Sequence, residues 1–150
     1  MFQVTNALTF SRSLRNAMLN ALKTIPTAPL MGNPLVRLYA GPQIPQVDSV
    51  VSDFTASAFS GYADQAVTLT AAGNLTPDIQ EVHGTANFTA TSTASFTVGT
   101  ADGYLLLDST GATYLAGERF SATVNFGLNG DFLEVDLIVP LQGTQPGQQT

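Results

Sequence analysis

Two hydrophobic periods divide the chain. In its first part, Phe10, Leu14, Ala17, Met18, Ala21, Leu22 and Ile25 recur at the spacing of one helix face. That is the period of about 3.6 residues expected of an amphipathic helix. Arg12, Arg15, Asn16, Asn20 and Lys23 fall off the stripe. Thr9 or Asn6 is placed to cap the start, and Pro26 and Pro29 end the run because proline lacks the amide hydrogen a helix needs. Residues 26–34, with three prolines, read as a hinge. The helix either packs on its own domain or serves as an arm that docks on a neighbouring subunit.

After the hinge the period falls to two. Leu35-Val36-Arg37-Leu38-Tyr39 reads as a first strand, followed by a proline-rich loop. Residues 50–59 read either as a short helical turn or as an irregular edge. Strands are expected at 65–70, 85–91, 94–98, 104–108, 120–126 and 132–140, with Gly, Asn, Asp or Pro in nearly every gap. Many short strands at this spacing predict a mainly β fold, a sandwich or barrel. Two strands alternate clearly. Phe120, Ala122, Val124 and Phe126 share one face, and Leu133, Val135, Leu137 and Val139 another, with Glu134 and Asp136 opposite them. Gly127-Leu128-Asn129-Gly130-Asp131 reads as the hairpin loop between these two strands. The expected organisation is a helix and hinge over 1–34, a β-domain over 35–141 and a tail over 142–150 that has no apolar residue.

Composition changes the picture in one respect. A chain of 150 residues is the usual length of one domain, and it contains no cysteine, which removes disulfides and thiolate chemistry from consideration. Its charged fraction is 11%, less than half of the roughly 25% typical of soluble domains. Thr, Ser, Ala, Gly, Asn and Gln fill the places of the missing charges. Such surfaces suit coverage by another protein. Charge is also unevenly placed. Arg12, Arg15, Lys23 and Arg37 lie in the first 40 residues, where there is no acid, and all eleven acids follow with only Arg119 to offset them. An acidic body is a poor match for nucleic acid, whose binding rests on cations that neutralise phosphates. The basic N-terminal part suits an acidic neighbouring subunit, including another copy of the chain. Neither a targeting segment nor a membrane span is read, so synthesis and assembly in the cytoplasm are expected.

Candidate chemistry is sparse. The single histidine, His83, stands two residues from Glu81, and on a strand the two share a face. A base also needs a nucleophile within reach, so the expected role of His83 is that of a loop or strand-edge residue. Glu134 and Asp136 are read as facing solvent or a basic subunit, less readily a metal. Asn129, Asp131 and Asp136 lack the spacing of a calcium loop. Asp102-Gly103 and Asp108-Ser109-Thr110-Gly111 read as turns. Gly41, Gly61 and Gly73 are isolated, unlike the glycines of a phosphate loop. No tryptophan is present, and the four tyrosines are scattered, which gives little support to a stacking platform for sugars or bases. Neither catalysis nor a cofactor is expected.

Two stretches carry a resemblance. Val36-Arg37-Leu38-Tyr39, a proline loop, and Val51-Ser52-Asp53-Phe54-Thr55-Ala56-Ser57-Ala58-Phe59-Ser60-Gly61-Tyr62-Ala63 form one. Gly103-Tyr104-Leu105-Leu106-Leu107-Asp108 with Ala116-Gly117-Glu118-Arg119-Phe120 form the other. Together they resemble small virion structural proteins of tailed bacteriophages over roughly residues 35–126. The N-terminal arm is longer than in that family's pattern, and its middle tryptophan is missing. The resemblance implies a β-sandwich or jelly-roll subunit. It also implies a capsid cement, or decoration, role: binding the outside of a shell, often as a homotrimer, and bridging major capsid subunits. A tail, neck or fibre-associated component fits the same features, and a free carbohydrate-binding module fits them less well. Arg12, Leu14, Arg15, Met18 and Leu22 are the expected partner-contact residues.

Overall fold

The alternating segments pair as antiparallel strands in the computed structural model, which describes residues 9–11, 33–71, 79–92 and 94–142. One sheet runs in the order β1 (Thr9–Phe10), β8 (Tyr114–Phe126), β7 (Gly99–Leu107), β2 (Leu35–Ala40) and β3 (Thr55–Ala56). Its remaining strand, β4 (Gln65–Ala66), also pairs with β2. The second sheet has the order β5 (Thr70–Ala71), β6 (Ile79–Thr89) and β9 (Phe132–Gln142). The chain is mainly β. No helix among the described residues is long and apolar enough to cross a membrane.

One apolar cluster joins the two sheets. Val36, Leu38, Leu106, Ala116, Phe120 and Phe126 come from the first sheet, and Ala86, Phe88, Leu133, Val135 and Leu137 from the second. Each large side chain fully buried here contributes roughly 1.5–3 kcal/mol. Strand alternation explains the pattern in β9, where Leu133, Val135 and Leu137 are buried while Glu134 and Asp136 between them are not.

A second cluster lies on the other face of the first sheet, made by Tyr39, Phe54, Leu105, Leu107 and Tyr114. Phe54 ends the connection from β2 and reaches back to Tyr39, with ring centroids 4.9 Å apart. β7 is therefore covered on both faces. Leu105, Leu106 and Leu107 are all fully buried, which accounts for a continuous apolar run where alternation would otherwise be expected. At Gly103 the close packing leaves no room for a side chain. A Cβ there would stand 2.3 Å from the Glu118 carbonyl oxygen and 2.5 Å from Tyr39 Cε1.

Several expectations are corrected. Thr9 and Phe10, read as cap and first residue of a helix, form strand β1 opposite Gly117 and Ala116, and the Ser11 amide continues the pairing to the Leu115 carbonyl. The rest of the stripe, including Arg12, Leu14, Arg15, Met18 and Leu22, lies outside the described residues. The strand expected over 65–70 is two short ones. β4 belongs to the first sheet and β5 to the second, so the chain changes layer with Val67 buried between them. Residues 94–98 form no strand, and β7 starts at Gly99. Residues 50–59 combine both readings, a 3-10 turn at Val51–Asp53 and then β3.

The alternation of Phe120–Phe126 also breaks. β8 pairs Arg119 with Gly103 and Val124 with Ala101, so residues 120–123 stand opposite Asp102 alone. Phe120 and Phe126 remain buried, but this bulge leaves Ala122 exposed. The Asp102 carboxylate ties the irregularity together by accepting from the Gly41 amide at 2.7 Å and from the Thr123 hydroxyl.

Candidate functional site

Because β6 and β9 send alternate residues into the core, the others form an outer face. The register places His83 opposite Ile138, Thr85 opposite Asp136, Asn87 opposite Glu134 and Thr89 opposite Phe132. Each acid therefore faces a neutral polar partner across the strands, and like charges are not opposed. The Thr85 hydroxyl donates to Asp136 Oδ1 at 3.1 Å. Phe132 and Ile138, at 42% and 39% exposure, flank the two acids with apolar surface. β9 pairs only with β6 among the described residues. Over His83–Thr89 and Phe132–Ile138 this face carries an imidazole, hydroxyls and an amide, with two apolar residues and two carboxylates.

The sequence-predicted residues divide among other tasks. His83 sits on this outer face in strand β6, between Thr70 of β5 and Ile138 of β9, and so in neither a loop nor a strand edge. Residues 127–131 are not the expected hairpin loop: β8 and β9 belong to different sheets and do not pair, so the segment crosses from one sheet to the other, and Asn129 and Asp131 serve that connection. The Asn129 side-chain oxygen accepts from the Ser92 amide at 3.1 Å, and the Asp131 carboxylate accepts from the Gly127 and Leu128 amides, each at 2.7 Å. Asp108 likewise accepts from the amides of Ala112 and Thr113 and from the Thr110 hydroxyl. Burial would raise its pKa, but these bonds outweigh it and leave the carboxyl below its ordinary value.

Two cations are occupied within the fold. Arg37, counted by the sequence among the basic residues available to a neighbour, makes a forked pair with Asp64 at 3.0 and 2.7 Å. The hydrogen bond to Asp64 is the main reason its pKa is raised. Arg119 donates from Nη1 to the Gly41 and Gln43 carbonyls, at 3.0 and 3.2 Å, and so holds the loop after β2. Sequence reasoning missed both roles. One signal was present: an arginine within an otherwise apolar strand needs a counter-charge. Its partner, 27 residues away, follows only from the fold.

A cleft of about 270 Å³ opens between residues 47–51 and the β7–β8 connection, with Ser11, Asp48, Val50, Val51, Thr113 and Tyr114 among its walls. It falls below the roughly 300–1,000 Å³ of small-molecule sites. The expected contact residues Arg12, Leu14, Arg15, Met18 and Leu22 lie outside the described residues. Comparison with protein-family models, curated proteins and solved structures finds no match.

Proposed function

We propose that this chain is a non-enzymatic structural subunit of a bacteriophage particle, a capsid cement protein that binds the outside of the shell and bridges major capsid subunits. The observation that carries the reading is the outer face of β6 and β9. Thr85, Asn87 and Thr89 stand beside exposed Phe132 and Ile138, with Glu134 and Asp136 as the acids between those two. Burying such a face against a partner costs little desolvation, because few charges must be stripped of water. Its exposed aromatic and aliphatic ends supply the apolar contact that interface centres favour. The residues of the phage-like motifs support the same reading. Tyr39, Phe54, Phe59, Tyr62, Gly103 and Tyr104 build the two cores and the sheet edge, so the resemblance concerns a framework and not a catalytic set.

In this reading the two sheets form a jelly-roll-like sandwich. An N-terminal arm carries Arg12, Leu14, Arg15, Met18 and Leu22 to a neighbouring subunit. A homotrimer presents several such surfaces at once, and multivalent attachment strengthens individually weak contacts. Bound subunits stabilise the shell state they prefer by mass action. The site of action is the virion exterior, after synthesis in the host cytoplasm.

Light scattering after size exclusion, followed by sedimentation with expanded shells, tests the proposal. A discrete trimer that co-sediments with shells, and a Phe132→Asp or Ile138→Asp variant that no longer does, is the expected result. A monomer that ignores shells overturns it. A closed ring that ignores shells moves the assignment to the tail or neck.

A further inference from the structure

Asn129-Gly130 is the one Asn-Gly dipeptide in the chain, and the fold places it in the exposed connection between β8 and β9. Glycine after asparagine leaves the following amide unshielded, so its nitrogen can reach the side-chain carbonyl carbon. In this structure a Cβ at Gly130 would meet nothing within 4 Å. Two hydrogen bonds engage the reacting groups. The Gly130 amide donates to the Ala90 carbonyl at 2.8 Å. The Asn129 side-chain oxygen accepts from the Ser92 amide at 3.1 Å.

We propose that Asn129 is a site of spontaneous deamidation whose conversion is gated by opening of this connection. The Gly130 nitrogen gives up its proton to solvent and attacks Asn129 Cγ. A C–N bond forms, the Cγ–Nδ2 bond breaks, and the nitrogen leaves as ammonia. Water then opens the succinimide. Attack at the side-chain carbonyl yields aspartate, and attack at the main-chain carbonyl yields isoaspartate; no oxidant or reductant is needed. Isoaspartate routes the backbone through the former side chain and adds one atom to it. The segment then no longer presents the Gly130 amide to Ala90 and the Asp131 carbonyl to the Ala90 amide, a bond of 2.8 Å. Conversion therefore unfastens the β8–β9 connection from the end of β6. This inference does not depend on the assembly reading.

The test follows isoaspartate and aspartate at position 129 by peptide mapping of the full chain held in mildly alkaline buffer, folded and in urea. Conversion in the folded chain is expected to be at least about tenfold slower than in urea, the ratio reporting the opening equilibrium. Asp131→Ala removes the acceptor of the Gly127 and Leu128 amides without touching the reacting pair. With strand content verified by circular dichroism, it is expected to accelerate conversion in the folded chain. Equal rates in buffer and urea overturn the gating, as does a folded Asp131→Ala chain that converts at the wild-type rate. Absence of conversion in urea overturns the site itself.

Discussion

The phenolic oxygen of Tyr62 lies 3.0 Å from the backbone nitrogen of Leu38 and 3.2 Å from its carbonyl oxygen. On this edge of β2, β4 covers Leu35 and Val36 and β3 covers Tyr39 and Ala40. Tyr62 fills the gap between those two short strands. The hydroxyl accepts from the Leu38 amide, and its single proton serves either that carbonyl or Asp64 Oδ1 at 2.9 Å. The Ser57 amide donates to the same Leu38 carbonyl at 2.9 Å. Asp64 in turn holds Arg37. A part-buried backbone edge is thus satisfied by the Tyr62 side chain and the Ser57 amide where no strand runs.

Tyr62→Phe keeps the ring, which packs against Phe59 at 5.2 Å and Phe88 at 6.2 Å, and deletes only the hydroxyl. The Leu38 amide loses its acceptor. Urea unfolding is expected to show a loss of about 1–3 kcal/mol, with the denaturant slope unchanged. A midpoint equal to that of the wild type would show that water replaces the phenol at no cost.

Glycines should respond in opposite ways according to their surroundings. Gly103→Ala drives a methyl into backbone and into the Tyr39 ring, and overpacking of this kind costs about 1–3 kcal/mol or more. Gly127→Ala meets open space and is expected to lie between neutral and a gain of about 0.4–1 kcal/mol, through a less flexible unfolded chain. Thermal unfolding of the two variants checks the contrast.

All four tyrosines resist ionisation in the folded chain. Burial is the largest cause in each case, and the carboxylates of Asp64 and Glu118 add to it at Tyr62 and Tyr104. Tyr39 is pushed up to about 12. Unfolded tyrosine titrates near pH 10, so above that pH the unfolded state loses protons that the folded state retains. The stability these phenols contribute is complete below about pH 10 and is lost as pH rises through their folded pKa values. Absorbance of tyrosinate against pH should show little ionisation until a cooperative step coincident with loss of β circular dichroism. Independent titration of any tyrosine near pH 10 in a folded chain would contradict the burial described.

Asp102 predicts an acid limb. Its pKa is lowered chiefly by the Gly41 amide, then by the Thr123 hydroxyl. A depressed folded pKa contributes stability above the unfolded value of about 3.9, and that stability is lost as pH falls through the folded pKa. Asp102→Asn should therefore lower Tm near neutrality, and the difference from wild type should shrink below about pH 4. A difference that stays constant down to about pH 2 would mean that the bulge does not depend on the carboxylate charge.

Strand content and the inward face of β9 were legible in residue order, whereas the hairpin expected between β8 and β9 is not formed, because the two strands enter different sheets. Leu133, Val135 and Leu137 alternate with acids, and alternation alone assigns them to the core side of any sheet they enter. The turn at 108–111 was likewise legible, because Asp at its start and Gly111, at a φ of +73°, suit tight reversal by local chemistry. Local rules did not reach the rest. Phe10 belongs to a helical period and yet stands in a strand, since pairing with Ala116 depends on β8 being there to receive it. Ala122 carries the right alternation and is exposed, because a bulge around Asp102 depends on how β7 meets β8. The ion pair of Arg37 with Asp64 and the bond of Tyr62 to Leu38 join residues 27 and 24 positions apart. Period and turn chemistry act between near neighbours and are written in the sequence. Which face is covered twice, which edge is closed and which charge is neutralised depend on distant segments meeting, and only the tertiary structure decides them.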